Sequence, residues 1–270
     1  MAQSTLNTSS NPQAWYKPMF SPEHGIYVVL LVSFLIGAAA PQAWKLTTTL
    51  ALICAFCGFQ AEHPLVMQIK QRRSLKPRFI FWGGFYAVIS GAIALWLYLS
   101  YPILLWIYVG AIAALIVDAF SVVQREQKSI FNELVVFAAV CLSTPFAYAA
   151  TTGTISASIM GLWALNTLYF SSTIFTVKLR KPKTSSAIPG VVYHAIASLI
   201  IFILYWFSWL SPVAALAFGL ALLKFGIAVL NQEWYCSAKI QFVATLESVT
   251  AFAFLIIVAL SVLPARLTTL

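Results

Sequence analysis

Residues 62–78, EHPLVMQIKQRRSLKPR, form a short basic island between two long apolar runs. The island holds Lys70, Arg72, Arg73, Lys76 and Arg78, five of the sixteen Lys and Arg residues in the chain. A charge at the centre of a bilayer costs about 2.5 kcal/mol or more, so this stretch cannot lie in hydrocarbon. It marks one loop as aqueous and, because short cytoplasmic loops carry the excess of Lys and Arg, as cytoplasmic. Every other loop takes its side by counting helices away from it.

The runs on either side belong in a bilayer for a reason that composition supplies. Of the 270 residues 61% are hydrophobic and 9% charged, and the mean hydropathy is +0.89. A soluble domain carries about 25% charged residues, and a chain this poor in charge cannot cover a soluble globule. The expected fold class is all-α, a polytopic transmembrane helical bundle. A net charge of +9 would suggest nucleic acid in a soluble protein. Here the excess sits in short loops, where it sets topology and meets anionic headgroups, so the expected partner is membrane lipid and not nucleic acid. Oligomeric state has no signature in the sequence.

Nine runs approach the ~20 residues that a spanning helix needs. They are 25–40, 44–61, 79–99, 102–123, 132–149, 155–177, 190–210, 212–230 and 242–262. With 62–78 inside, the loops 124–131, 178–188 and 231–241 are inside too, as is the N-terminus. Thirteen of the sixteen Lys and Arg residues then share that side; Lys45 and Arg266 lie opposite, and Lys224 falls within the eighth run. This predicts an N-terminus in the cytoplasm and a C-terminus on the far side. Residues 1–19 are polar, carry no positive charge before Lys17 and read as a disordered cytoplasmic tail, leaving 20–270 as a single transmembrane domain. Cys54 and Cys57 share a helix face, but a CxxC without a second pair of ligands reads first as two small buried side chains.

The acids and histidines are more telling than the cations. All seven acids and all three histidines map to the cytoplasmic third. Acids contribute little to the positive-inside rule, and ionisable groups at membrane depth face a bundle interior or a wet cavity. A polar cavity open to the cytoplasm is the expectation. Glu23 and His24 start helix one, and Glu62-His63-Pro64 reads as the stop of helix two. Asp118 lies near the end of helix four, within reach of Arg125. Asn166 and Tyr169 sit on adjacent turns of helix six, with Lys178 and Arg180 beyond them and His194 one turn into helix seven. Lys224 and Glu247 lie about 9 Å inside their helices, so an antiparallel hairpin would bring them level as a buried ion pair.

These residues allot the roles expected of the site. Arg72, Arg73, Lys178 and Arg180 would hold a phosphate without metal. His24, Asp118 and His194 are the candidates for proton handling. Glu23, Glu62, His63, Asn166, Tyr169, Lys224 and Glu247 would line the cavity. No P-loop, GxSxG or HExxH motif is present, no DxxxD pair follows helix two or helix six, and no metal ligand set stands out.

Several short motifs carry a family resemblance: PEHGIYVVL, RRSLKPRF, REQKSIFNEL, LNTLYFSSTIFTVKLRK followed by YHA, and KIQFVATLESVTAFAF. Together they resemble the YwiC-like bacterial membrane proteins over about residues 17–262. The resemblance implies a membrane location, in a bacterial inner membrane or an internal one such as the thylakoid, and no reaction. In architecture the chain is also similar to the UbiA-type intramembrane prenyltransferases. That similarity implies an isoprenoid diphosphate bound through aspartate-rich motifs and magnesium beside helices two and six. Glu62-His63 and Asn166 stand at those places, so no cofactor is evident and magnesium is expected only if the site is UbiA-like. The function expected is binding or transfer of an isoprenoid phosphate or related anionic lipid. A proton-coupled permease or a structural assembly factor are the alternatives.

Overall fold

The computed structural model describes residues 16–71, 74–181 and 186–263. Each of the nine apolar runs is helical. In order the helices are α1 (His24–Ala39), α2 (Leu46–Lys70), α3 (Pro77–Ser100), α4 (Leu104–Gln124), α5 (Ile130–Cys141), α6 (Ser143–Thr152), α7 (Ala157–Leu179), α8 (Ile188–Trp206), α9 (Pro212–Ala217), α10 (Gly219–Leu230), α11 (Gln232–Ser237) and α12 (Ile240–Val262). Helices α5 and α6 form one rod, as do α9 and α10. Pro145 has no N–H for the carbonyl four residues back, and the first rod slips register close by, at Leu142.

Among the described residues seven rods are long and apolar enough to cross a membrane, and the protein is an integral, multi-pass membrane protein. The other two expected spans are α1 and α7. Helix α1 has 16 residues, about 24 Å at 1.5 Å per residue. Helix α7 has 23 residues, but Asn166, Thr167, Ser171, Ser172, Thr173 and Thr176 dilute its apolarity. The reason is position. Thirteen α7 residues are buried, against four in α3. A helix ringed by other helices meets no lipid and can carry polar groups that bond across the interface.

Three apolar clusters are present among the described residues, and α1 stands between the two larger ones. Val29, Val32 and Ile36 face the larger one, with Leu162, Leu165, Tyr169 and Phe254; Phe34 and Ala38 face the other, with Leu97, Leu104 and Phe146. A third face of α1 touches α6 so closely that a Cβ on Gly37 would strike the Thr144 carbonyl. Thr144 Oγ1 donates to the Ser33 carbonyl at 2.9 Å across the same seam.

One sequence expectation is overturned. Helix α2 does not stop at Glu62-His63-Pro64 but runs two more turns to Lys70, with Pro64 inside it. Proline removes one N–H but is tolerated in membrane helices where neighbours support the freed backbone. Of the expected tail, residues 1–15 lie outside the described residues. Lys17 and Pro18 are held by Arg78, whose guanidinium donates to their carbonyls at 3.1 and 3.3 Å. Arg78, Lys70, Lys128, Lys178, Arg180 and Lys239 all lie at one end of the bundle, the basic end.

Candidate functional site

At the basic end the start of α1 is bound to α2 by a ring of hydrogen bonds. Ser21 N donates to Gln60 Oε1 at 3.1 Å, Gln60 Nε2 donates to Tyr27 Oη at 2.6 Å, and Tyr27 Oη donates to the Ser21 carbonyl at 3.1 Å. Gln60 is buried, and with Tyr27 it fixes the turn that carries Glu23 and His24. Neither residue was expected to matter; an amide in an apolar run, two residues before Glu62, was the available signal.

Asp118 does not reach Arg125. It faces the bundle, 7% exposed, and Oδ1 accepts a 2.7 Å hydrogen bond from Asn132 Nδ2. Asn132 Nδ2 also donates to the Gln127 carbonyl at 3.1 Å, and the Asn132 N–H caps on Ser129 Oγ at 3.2 Å. The chain reverses between the two helices at Arg125, which takes the left-handed conformation with φ 65° and ψ 24°. Glu126 N closes the turn on the Ser121 carbonyl at 2.8 Å. The other oxygens of the pair, Asp118 Oδ2 and Asn132 Oδ1, are buried with no hydrogen-bond partner.

Above Asp118 a cleft of about 430 Å³ opens between the ends of α2 and α4, lined by Lys70, Val122, Arg125, Gln127 and Lys128. Val122 is one turn beyond Asp118, and Gln127 is the residue that accepts from Asn132. Glu62 and Glu23 lie within electrostatic range of the cleft's neighbours: Glu62 of Asp118, Glu23 and Lys70, and Glu23 of Asp118, Lys70 and Lys128. Glu23 keeps an open side, yet crowding at the bundle end pushes its carboxyl above the usual range, with the Asp118 charge adding to it. The two ion pairs among the described residues are Lys178–Glu133 and Lys224–Glu247. Neither involves Glu23, Glu62, Asp118, Lys70, Arg125 or Lys128.

The family model described as YwiC-like protein matches residues 20–148. Over that stretch, just under half of its length, the chain is similar to this family. The match runs from just before α1 into α6, shorter than the span the motifs suggested, and it carries no UbiA-type assignment. Nothing among the curated proteins matches the chain. All six of the charges just named lie inside the YwiC-like stretch.

The expected phosphate ligands fare differently. Arg72 and Arg73 lie outside the described residues. Lys178 is 2.6 Å from Glu133 Oε2 and donates to the Lys128 carbonyl at 3.3 Å. Arg180 spans two carbonyls, Tyr235 at 2.8 Å and Ala238 at 2.6 Å, and lies 5.7 Å from the centre of the Tyr235 ring. Both cations are engaged in holding the chain together. Lys70, Arg125 and Lys128, which line the cleft, are not among the phosphate ligands expected from the sequence, because a loop cation and a binding cation look alike there.

The remaining candidates lie beyond the YwiC-like stretch or deeper in the bundle, and they do not join the cleft. Asn166 Nδ2 donates to Thr144 Oγ1 at 2.7 Å, and Tyr169 stacks on Phe254 at 3.9 Å. His194 Nδ1 lies 2.7 Å from the Gly190 carbonyl and its ring stacks on Phe225 at 4.2 Å. His63 is half-buried near Lys70. The expected pairing of Lys224 with Glu247 is present at 2.6 Å, and the lysine is 2% exposed. Thr173 and Thr176 donate to the two Glu247 oxygens at 2.9 and 3.3 Å. What reads in the sequence as one cavity is a peripheral cleft and a separate interior network.

Proposed function

We propose that this protein binds the phosphate group of an amphiphile at the cytoplasmic face of its membrane. An isoprenoid phosphate or related anionic lipid is the leading ligand, and the phosphate site is the cleft beside α2 and α4. One observation carries this reading: Lys70, Arg125 and Lys128 line a single cleft, and among the described residues none of them has a carboxylate within ion-pair distance. Clustered Lys and Arg at a bilayer surface attract anionic headgroups, and the planar Arg fork matches phosphate oxygens. Exposed apolar residues of α4, among them Ile116 and Phe120, leave the lipid chain in the bilayer beside the cleft. Proton handling belongs in this reading to Glu23, His24 and Asp118, and His194 has no part in it. The chain's own cations hold the phosphate, so the reading calls on no magnesium. The orientation rests on loop charge, and the membrane is a bacterial inner membrane or an internal one such as the thylakoid.

The test is native mass spectrometry with lipid analysis of protein purified in mild detergent. Wild type should retain a phosphorylated lipid that Lys70→Gln/Arg125→Gln releases. Equal retention by both proteins would remove the site.

A second reading, proton-coupled transport, draws on the Lys224–Glu247 pair and on the register slips at Leu142 and Phe218. It predicts uptake that collapses in Glu247→Gln while the Lys70 and Arg125 changes leave it intact.

A further inference from the structure

The end of the bundle opposite the basic one carries a cleft of about 410 Å³ between the start of α7, the turn from α8 to α9 and the end of α12. Hydroxyl side chains dominate its lining: Ser158, Tyr205, Ser208, Ser211 and Ser261, with the Trp209 indole beside them. None of the described residues that line it is charged. The turn runs through Ser208 in the left-handed conformation at φ 60°, and the N–H groups of Ser208 and Trp209 close on the Tyr205 and Leu204 carbonyls at 2.9 and 2.8 Å. Gly161 of α7 lets this turn lie close, because a Cβ there would strike the Trp209 carbonyl. Ser211 Oγ accepts from Ala214 N at 3.2 Å and keeps its proton to donate; Ser261 Oγ donates to the Val258 carbonyl at 2.7 Å and keeps its lone pairs. The hydroxyls of Ser158, Tyr205 and Ser208 have no hydrogen-bond partner among the described residues.

A second cleft, of about 430 Å³, adjoins the first, and Tyr205 and Pro212 line both. Its walls run inward along the helices, from Tyr205 back to Ser198 on α8 and from Pro212 on to Leu222 through α9 and α10. They are mostly apolar, and Phe202, Leu216 and Leu222 are open to lipid. Small-ligand sites span about 300–1,000 Å³, so each cleft is large enough to hold part of a ligand. A polar cleft that leads into an apolar one has the two halves of an amphiphile. A charged head does not suit the first cleft, because losing its hydration there is repaid by no opposite charge among the described lining residues. An uncharged polyol does suit it, since each of its hydroxyls both donates and accepts, and Trp209 and Tyr205 add broad apolar faces. We infer that this is a binding site for a glycolipid of the far leaflet. Its uncharged sugar sits among the five hydroxyls against Trp209, and one acyl chain runs into the apolar cleft. The second cleft is what makes the ligand a lipid and not a free sugar. This site is separate from the phosphate cleft and does not rest on it.

Three lipids with the same acyl chains test the site when titrated into the full-length protein and read by native mass spectrometry. Monoglucosyl diacylglycerol has the uncharged sugar, diacylglycerol lacks it, and phosphatidylglycerol has hydroxyls on a charged head. The glucosyl lipid should bind about ten-fold tighter than diacylglycerol, the worth of one or two ordinary hydrogen bonds. Ser158→Ala/Ser261→Ala should shrink that preference to about three-fold or less and leave diacylglycerol unaffected. Trp209→Leu should do the same and covers the case in which the serine variant misfolds. Gly219→Phe puts a ring into the apolar cleft, at a position where a Cβ meets nothing within 4 Å. It should weaken both neutral lipids by about five-fold or more, through lost burial of the chain. Phosphatidylglycerol held at the basic end is recognised by its loss in Lys70→Gln/Arg125→Gln, a change that should leave the glucosyl lipid in place. In that variant phosphatidylglycerol should bind about five-fold or more weakly than the glucosyl lipid. Equal binding of those two there overturns the uncharged head, and equal binding of the glucosyl lipid and diacylglycerol overturns the sugar site. Glucosyl lipid lost with Lys70 and Arg125 belongs to the other cleft and also overturns it. Binding that none of the far-end changes alters is ordinary annular lipid and overturns both halves. Methyl glucoside, run as a competitor, should displace little; full displacement at matched concentration would overturn the lipid in favour of a free sugar.

Discussion

Lys224 Nζ lies 2.6 Å from Glu247 Oε2, and Thr173 Oγ1 is bonded to both, accepting from the lysine at 3.2 Å and donating to the carboxylate at 2.9 Å. Three helices, α7, α10 and α12, meet at this one pair. Buried charges are stable only while each has its partner, and removing one leaves the other stranded. Lys224→Met and Glu247→Gln should each lower stability by about 3–5 kcal/mol, read as the thermal midpoint in detergent. Lys224→Met/Glu247→Leu, which removes both charges, should recover most of the loss. A midpoint unmoved by either single change would mean the pair is not holding the three helices together.

Gly37 predicts a steric effect with a built-in control. Its missing Cβ lets α1 lie against the backbone of Thr144 in α6, whereas a Cβ at Gly84 in α3 would meet nothing within 4 Å. Gly37→Ala should cost about 1–3 kcal/mol, as overpacking in a close-packed interior does. Gly84→Ala should be neutral or slightly stabilising, since alanine is the better helix former by ~1 kcal/mol. Thermal midpoints of the two variants, purified side by side, check the contrast.

Arg180 latches the chain after α10 through its fork on the Tyr235 and Ala238 carbonyls. Arg180→Ala should loosen residues 231–239 at a cost of about 1.5–3 kcal/mol, the range for hydrogen bonds to a charged group. Lysine keeps the charge but not the planar fork, so Arg180→Lys should restore little. Limited proteolysis reads the result as new cleavage within 231–239 in both variants, with α12 itself intact.

How much of this was legible in the sequence follows from what each signal depends on. The helices and their sidedness depend on sums over many residues, and apolar runs and loop charge report such sums well. The Lys224–Glu247 pair was legible because depth along a helix is a count of residues at 1.5 Å each. The stop at Pro64 was misread because proline's effect depends on what supports the freed carbonyl, and that support comes from packing. What stands opposite each cation is hidden in the sequence for a related reason. Lys178 and Arg180 differ from Lys70 and Arg125 only in what stands opposite them, and Glu133 and the Tyr235 and Ala238 carbonyls come from distant parts of the chain. Asn166 and His194 were drawn toward one cavity, yet rotation about the helix axis turns them to Thr144 and Phe225.

Glu23 should make anion binding at the cleft sensitive to pH. Crowding at the bundle end, and then the charge of Asp118, raise its carboxyl, while Lys70 and Lys128 pull the other way. Protonation therefore begins at a higher pH than for an ordinary glutamate near 4.3. As pH falls below neutral Glu23 loses its negative charge sooner than an ordinary glutamate would, and an anionic phosphodiester on Lys70 and Lys128 should bind more tightly. The change expected is about three-fold, as befits a partly exposed charge. Phosphatidylglycerol is the right probe, because its phosphodiester stays ionised throughout. Glu23→Gln should bind more tightly at neutral pH and lose part of the pH response, the remainder belonging to His24, Glu62 and His63 nearby. A response that survives unchanged in Glu23→Gln would assign it to those neighbours instead.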